Sequence, residues 1–257
     1  MTKIYFLILC CLSFAASAQK GVRESVQFEK PPVIDGLMDD WKAEWWLDPD
    51  GKFLSNVGND STNLYLRLKI SDDLTQQKIG LFGLSVKLNP NGKRKGKVGL
   101  KYPIAKDESE LKGQSSAVET SNDAASRIAM KKKWVSDVEV VELIGLAKEN
   151  IVSSRLGLMN GIEAIIVALD DGSYIYEAKI PFKAFRINKR EVPLLGVEFE
   201  TGRLVVQSKN ATANSGYSPT SRGPGGYGQQ QPRYYSSNYQ YNALSSPGYL
   251  WIGVKLK

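Results

Sequence analysis

The stretch that decides the fold is Asn63-Leu64-Tyr65-Leu66-Arg67-Leu68-Lys69-Ile70-Ser71. Aliphatic side chains occupy its even-numbered positions, and Tyr65, Arg67 and Lys69 occupy the odd-numbered positions between them. Successive side chains of a β-strand point to opposite faces. The alternation therefore predicts a strand with one buried face and one face open to water.

The same period of two recurs along the chain. Phe82, Leu84, Val86 and Leu88 form one face, and a turn at residues 89–92 leads to a partner strand. Further strands are predicted at 98–102, 138–144, 162–169, 174–180, 195–206 and 249–256, with a hairpin turn at 170–172. Helix signals are limited to 38–46, 124–132 and 181–185. Many short strands separated by turns predict an all-β fold, an antiparallel β-sandwich of immunoglobulin-like or jelly-roll-like type with few short helical turns.

The composition excludes several classes of protein. The chain has 257 residues, and its 42% hydrophobic content excludes wholesale disorder. It contains no histidine, so it has no Ser-His-Asp or Cys-His catalytic group, no HExxH zinc site and no His-ligated haem. We expect no catalytic residue and no cofactor. The acidic pairs Asp72-Asp73 and Asp170-Asp171 do not offer the five or six spaced oxygens that calcium needs, so no metal site is expected.

The first 18 residues are typical of a secretory signal. Lys3 supplies a short basic region, residues 4–14 an apolar stretch, and Ala16-Ser17-Ala18 a cleavage motif. We predict cleavage between Ala18 and Gln19 and export to the periplasm, the outer surface or the medium. A membrane anchor needs about 20 apolar residues, so no transmembrane segment is expected.

A lipoprotein processed at Cys10 is the alternative interpretation of this segment. Leu9 precedes Cys10, and it is larger than the small residue that such processing requires.

Residues 19–257 are predicted to form one domain. Both cysteines precede this range, so the mature chain has no disulfide and depends on core burial. The net charge is +7 before cleavage and falls by one when Lys3 is removed. This positive charge favours acidic surfaces as partners.

Two segments lack the alternation and are predicted to be insertions. One is a polar segment at about 106–126, and the other is a Tyr-, Gly- and Gln-rich segment at about 210–246.

Several short motifs together resemble a known family. They are Val33-Ile34-Asp35-Gly36 with Asp39-Asp40-Trp41, Asp60 with Asn63-Leu64-Tyr65-Leu66 and Asp72-Asp73, Gly172-Ser173-Tyr174-Ile175-Tyr176-Glu177-Ala178-Lys179-Ile180-Pro181, Leu195-Gly196-Val197-Glu198-Phe199, and Gly248-Tyr249-Leu250-Trp251 with Val254-Lys255-Leu256. In this order they are similar to carbohydrate-binding module family 9 and its DOMON-like relatives, and they span almost the whole mature chain. The resemblance implies a β-sandwich that binds a sugar without catalysis. The haem-binding type of DOMON domain relies on a Met and His ligand pair, and this chain has no His.

The opening motif also has a structural interpretation. Asp35-Gly36 suits a turn in which Gly36 takes a positive φ, Asp39 or Asp40 suits the acceptance of backbone N–H groups, and Trp41 suits packing against the sandwich. We therefore expect Asp35, Gly36, Asp39 and Trp41 to be structural.

The chain departs from the family at the expected sugar site. The resemblance implies acidic residues and a Trp just before the strand at 83–88, where this chain has Thr75, Gln76, Gln77, Lys78 and Ile79. One aromatic wall of the sugar clamp and its carboxylates are therefore missing.

The opposite wall is expected just before the last strand, where the resemblance implies Tyr239 or Tyr241. Trp251 is out of phase with the aliphatic residues of that strand and should project from its other face. We predict that Tyr239, Tyr241 and Trp251 contact any carbohydrate, with a basic residue helping if the glycan is acidic. The alternative is that the 210–246 insertion covers these rings with its own tyrosines.

Other polar clusters have ordinary interpretations. Glu198 and Glu200 lie on one face of a strand, which suits a solvated sheet face better than a glycosidase pair. The basic runs at 93–97 and 131–133 suit solvated loop ends that are also able to grip an acidic polymer. Positive charge is the only feature of the sequence that favours nucleic-acid binding. We therefore expect no nucleic-acid partner.

Two functions remain open. The first is an exported, non-catalytic module that binds a polysaccharide or another envelope glycan. The second is a structural or protein-interaction component of the cell envelope that keeps the sandwich without the sugar site, with an envelope protein as partner.

Overall fold

Strand β5 (Asn63–Ile70) is the central strand of its sheet. The computed structural model describes residues 21–41, 43–107, 123–136, 138–147, 151–152, 160–205 and 242–257. The other strands are, in chain order, β1 (Val22–Glu24), β2 (Val26–Gln27), β3 (Trp46–Leu47), β4 (Leu54–Asn59), β6 (Leu84–Asn89), β7 (Val98–Lys101), β8 (Glu142–Ile144), β9 (Ile151–Val152), β10 (Glu163–Ala168), β11 (Tyr174–Pro181), β12 (Leu195–Thr201) and β13 (Tyr249–Lys255).

The strands form two sheets. The seven-stranded sheet has the order β1-β13-β12-β6-β7-β8-β9, and the six-stranded sheet has the order β10-β11-β5-β4-β2 with β3 paired to β4. Neighbouring strands are antiparallel except for β1 with β13 and β2 with β4, which are parallel. The predicted all-β sandwich is confirmed, and its purely antiparallel character is corrected to two mixed sheets.

The parallel pairs arise because one short segment serves both sheets. Strand β1 joins the edge of one sheet and β2 the edge of the other, with the buried Ser25 between them. The Ser25 hydroxyl donates to Asn59 Oδ1 at 2.5 Å and accepts from the Lys257 N–H at 3.1 Å. These bonds tie the beginning of the domain to β4 and to the end of β13.

The core lies between the sheets and follows the predicted alternation. The even-numbered aliphatic residues of β5 are fully buried, as are Leu84, Val86 and Leu88 of β6. They pack in one apolar cluster with the inward residues of β11, β12 and β13. The hairpin predicted around residues 170–172 is present as β10 and β11, paired from Glu163↔Lys179 to Ala168↔Tyr174.

One helix was not predicted, and a second is longer than predicted. Helix α1 (Asp73–Phe82) begins where Asp72 accepts the Thr75 N–H at 2.8 Å, and it ends at Gly83, which has a φ of 85°. Phe82 therefore ends a helix and does not belong to the strand in which its spacing placed it. Helix α2 (Ala124–Val135) extends three residues beyond the predicted segment.

Other boundaries also differ from the predictions. The segment predicted as a strand at 138–144 is a strand only from Glu142, and the strand predicted at 195–206 ends at Thr201. The described residues between 38 and 45 form no helix, and Trp46 begins β3. A short 3₁₀ turn, Phe182–Phe185, is present where one was predicted.

The second face of β5 is buried, contrary to the prediction that it is open to water. Tyr65 is fully buried and Arg67 is 1% exposed. The segment that precedes β3 covers them: Trp41 lies with its ring centroid 4.6 Å from the Arg67 guanidinium, and Phe28 packs edge-on against Tyr65. Phe28 and the opening motif thus cover Tyr65 and Arg67 on the outer side of the six-stranded sheet.

Candidate binding face on the seven-stranded sheet

Strand β13 places its two large aromatic side chains on the outer face of the seven-stranded sheet. Leu250, Ile252 and Val254 are buried against the core, whereas Tyr249 is 39% exposed and Trp251 is partly buried. The predicted orientation of Trp251 is therefore confirmed. We call this surface the outer face.

Charged residues of the next two strands lie directly beside the rings. Glu200 pairs with Tyr249 and Glu198 with Trp251 across β12 and β13, and Lys87 of β6 pairs with Glu198 on the other side. The Lys87 ammonium donates to Glu198 Oε1 at 3.2 Å and to the Glu200 carboxylate. Burial opposes the charge on Lys87, but these two carboxylates outweigh it and raise the pKa of Lys87.

The loop between β6 and β7 (residues 90–97) bends over the outer face and is fixed there. Three hydrogen bonds hold it: Gly96 N to Glu198 Oε2 at 3.0 Å, Trp251 Nε1 to Lys93 O at 3.3 Å, and Tyr249 Oη to Arg94 O at 3.2 Å. Glu198 is only 6% exposed beneath this loop. The prediction that Glu198 belongs to a solvated sheet face is therefore wrong.

Glycines make room for the Trp251 ring and for the loop above it. A Cβ on Gly196 would lie 2.5 Å from the Lys93 carbonyl oxygen, and one on Gly253 would lie 3.0 Å from Trp251 Cη2. The Arg94 guanidinium lies 5.5 Å from the Trp251 ring centroid, within the range of a cation–π contact.

The outer face therefore combines two partly exposed rings with fixed charges of both signs. Lys93, Arg94, Lys95 and Lys97 are exposed on the loop. Such a surface suits a sugar, which presents apolar C–H groups to a ring and polar groups to charged side chains.

Two other residues of the predicted sugar site, Tyr239 and Tyr241, lie outside the described residues. The residues that stand in place of the family's acidic and aromatic cluster lie in helix α1. Thr75, Gln76 and Ile79 are buried in α1, and the Gln76 amide donates to the carbonyl oxygens of Ile70 and Gly172 at 2.7 and 2.8 Å. Gln76 thus joins α1 to the six-stranded sheet.

The opening motif lies on the opposite side of the sandwich from Trp251. Glu177 Oε2 accepts the N–H groups of Asp35 and Gly36 at 3.2 and 2.9 Å, and Gly36 has a φ of 78°. Trp41 is buried, whereas Asp39 is exposed. The prediction named Asp39 or Asp40 as the acceptor of backbone N–H groups, and it is Asp40 that accepts the Val33 N–H, at 2.7 Å.

A buried ion pair that sequence reasoning missed holds this motif in place. Arg67 Nε donates to Glu177 Oε1 at 2.7 Å, and both side chains are at most 1% exposed. Arg67 Nη2 also donates to the Leu37 carbonyl oxygen at 2.6 Å and to Asp40 at 3.1 Å. Burial is the main influence on Glu177 and raises its pKa despite these donors.

The described residues contain neither a cluster of metal ligands nor a membrane-spanning helix. No group of three or more His, Cys, Asp or Glu side chains lies close enough together there to hold a metal ion. In the same residues no helix has the length and apolar character needed to cross a membrane.

The chain is similar to solved carbohydrate-binding modules. One is a family 9 module from Caldicellulosiruptor kristjanssonii in complex with glucose, with 15% identity over 69% of this chain and 75% of the module and a TM-score of 0.33. Another is a family 9 module from the same organism in complex with cellotriose, with 15% identity, coverage of 70% and 75%, and a TM-score of 0.31. These structures belong to the family that the sequence motifs resemble.

Two other comparisons found nothing. No protein-family model matches the chain, and no curated protein matches it significantly. Because both TM-scores are below 0.5, a binding function has to rest on the residues of this chain.

Proposed function

We propose that this protein is an exported, non-catalytic carbohydrate-binding β-sandwich that holds its glycan on the outer face of the seven-stranded sheet. The observation that carries the proposal is the pairing of Tyr249 and Trp251 with the exposed cations of the 90–97 loop. Trp251 and Tyr249 supply ring surface, and Arg94 supplies a charge-assisted donor for an acidic sugar. Tyr239 and Tyr241 are proposed as further contacts from the segment just before β13.

The rings and the loop are held together before any ligand arrives. The backbone carbonyl oxygens of Lys93 and Arg94 accept hydrogen bonds from Trp251 and Tyr249. A ligand therefore does not have to order these groups, which lowers the entropic cost of binding.

Affinity gel electrophoresis of the mature protein tests the proposal. The variants are Tyr249→Ala, Arg94→Gln and the double change Tyr239→Ala with Tyr241→Ala, and the gels contain one neutral or one acidic polysaccharide. Loss of one stacking ring should cost about 1 kcal/mol, or roughly fivefold in affinity. Arg94→Gln should weaken retardation by the acidic polysaccharide alone.

A matched control removes apolar surface from the other side of the sandwich. Leu47 is 64% exposed on β3, and Leu47→Ala should leave retardation unchanged. Melting temperatures of all variants identify any that lose stability. Unchanged retardation in the Tyr and Arg variants, or no retardation of the parent protein by any polysaccharide, would refute carbohydrate binding.

A structural or protein-interaction component of the cell envelope is the second candidate. One observation favours it: Val33, Leu37 and Met38 are 60%, 56% and 42% exposed on the segment that covers the six-stranded sheet. Neighbouring exposed apolar side chains on a firmly held segment suit contact with another protein. Retention of an envelope protein by the parent chain and not by a Leu37→Ser, Met38→Ser variant would support this candidate.

Export is proposed from residues 1–18. Sequencing of the N-terminus of the mature protein should give Gln19 as its first residue. A mature chain that keeps residues 1–18 would contradict export through this signal.

A further inference from the structure

A groove at one end of the sandwich lies apart from the outer face. Its volume is about 880 Å³, within the roughly 300–1,000 Å³ of small-ligand sites. Its lining residues come from the β4–β5 turn, the end of β11 and the connection from β11 to β12. We call it the end groove.

The described residues that line the end groove include no acidic residue and four cations, which are Lys179, Lys183, Lys189 and Arg190. Two of them have partners, because Lys179 pairs with Glu163 at 2.6 Å and Lys189 donates to the Asp60 carbonyl oxygen at 3.2 Å. The other two, Lys183 and Arg190, are exposed and have no carboxylate partner among the described residues. Their charges are therefore available to an anion.

The apolar side chains beside the groove belong to the core and leave almost no surface open to a ligand. Phe182 and Ile187 line the groove and are 4% and 6% exposed. The Ile187 N–H donates to the Phe182 carbonyl oxygen at 2.9 Å across the 3₁₀ turn. The remaining rim is polar, with the side-chain amides of Asn63 and Asn188.

The β4–β5 wall of the groove is rigid because Asp60 organises it. Its carboxylate accepts the N–H groups of Thr62 and Asn63 at 2.6 and 2.7 Å and the Tyr65 hydroxyl at 2.6 Å. Burial alone would raise the pKa of Asp60, but the hydrogen bonds from Tyr65, Thr62 and Asn63 hold that pKa well below its ordinary value. The Asp60 carboxylate thus makes these hydrogen bonds within its own turn and the strand that follows.

The end groove and the basic 90–97 loop lie at the same end of the sandwich. The loop follows β6, and a Cβ on Gly92 of the loop would lie 2.8 Å from Leu194, just before β12. The groove and the loop therefore both place positive charge at this end of the sandwich. The acidic residues near the groove, Glu163 and Glu191, are paired with Lys179 and Asn188.

We propose that the end groove binds a uronate residue of an acidic glycan, with Lys183 and Arg190 on the carboxylate and the side-chain amides of Asn63 and Asn188 beside its hydroxyl groups. Cations without a carboxylate partner beside polar amides suit a sugar with one negative charge and several hydroxyl groups, better than they suit a lone inorganic anion. The proposal uses no residue of the outer face and does not depend on the proposed function.

Isothermal titration calorimetry of the mature chain with tri-galacturonate tests this site. The groove variant is Lys183→Gln with Arg190→Gln. Its matched control is Arg127→Gln with Arg203→Gln, which removes the same charge from two exposed positions that do not line the groove. Loss of two charge-assisted contacts should weaken binding at least tenfold, since hydrogen bonds between charged groups are stronger than neutral ones. The control should change affinity less than about twofold, because distant surface charges are screened.

The neutral methyl ester of tri-galacturonate should bind the parent at least tenfold more weakly than the acid does. Two results would overturn the proposal: equal losses in the groove and control variants, or groove-dependent binding of inorganic sulfate or phosphatidylglycerol vesicles without binding of tri-galacturonate. Binding that is lost in Arg94→Gln and kept in the groove variant would also overturn it, while supporting the outer face. Melting temperatures within error of the parent show that the variants remain folded.

Discussion

Removal of Arg67 tests whether the buried ion pair anchors the opening motif. The change Arg67→Met keeps an apolar stem under Trp41 and leaves the Glu177 carboxylate with two backbone N–H donors, those of Asp35 and Gly36. Loss of one partner of a buried pair typically costs about 3–5 kcal/mol, because the other charge stays buried without compensation. For a domain of this size that corresponds to a fall in melting temperature of roughly 6–20 °C.

The pH dependence separates this cause from simple loss of packing. Burial already raises the pKa of Glu177 above its ordinary value of 4.5, and without Arg67 we expect a further rise. A carboxyl group whose folded pKa is raised binds its proton more tightly in the folded state. The variant should therefore regain stability as the pH falls from 7 through the folded pKa towards 4.5.

Urea titrations at several pH values measure the free energy of unfolding, and hydrogen exchange reports on the segment itself. Exchange of the Asp35 and Gly36 amides should quicken in Arg67→Met, since the Leu37 and Asp40 contacts of the guanidinium are lost. The control Lys132→Met breaks an exposed pair with Asp170 and should leave stability unchanged. A loss below about 1 kcal/mol in Arg67→Met, or a loss that is the same at every pH, would refute the anchoring role.

Two further predictions concern Gly36 and Asp60, which lie beside strands of the six-stranded sheet. A Cβ on Gly36 would lie 2.7 Å from Val167 Cγ2 at a φ of 78°, whereas Gly51 has a φ of 71° and open space around it. Thermal melts should therefore show a loss of about 2–5 kcal/mol for Gly36→Ala and about 1 kcal/mol for Gly51→Ala, and equal losses would contradict the close packing. Hydrogen bonds from Tyr65 and its neighbours overcome burial and lower the pKa of Asp60. The variant Asp60→Asn should therefore be less stable than the parent at pH 7, and the difference should shrink as the pH falls below 3.8. A difference in stability that is independent of pH would contradict this role of the Asp60 charge.

The strands that carry the core were predictable because their alternation is local. In β5 and β13 every second residue is aliphatic, and burial follows that period residue by residue. The outward position of Trp251 follows from the same rule. Helix α1 escaped prediction because Phe82 continues the spacing of Leu84 and Val86, and only the intervening Gly83 marks the helix end.

What covers each outer face was not predictable from a local pattern. Arg67 occupies a position that an exposed strand residue would also occupy, and its burial depends on Glu177, 110 residues later in the chain. The resemblance placed Asp35 and Gly36 at the start of the domain, but it did not reveal the carboxylate that accepts their N–H groups.

Glycines in the seven-stranded sheet are the sequence feature that allows such a covering contact. Gly99, Gly196 and Gly253 stand on the outer face, although glycine weakens a strand by roughly 0.5–1 kcal/mol relative to alanine. At Gly196 a Cβ would lie 2.5 Å from the Lys93 carbonyl oxygen of the 90–97 loop, and at Gly253 it would lie 3.0 Å from Trp251 Cη2. At these two positions strand glycines indicate that backbone or a ring lies directly on the sheet. Here they let the loop lie against Trp251, and Arg94 of the loop therefore stands beside the aromatic ring.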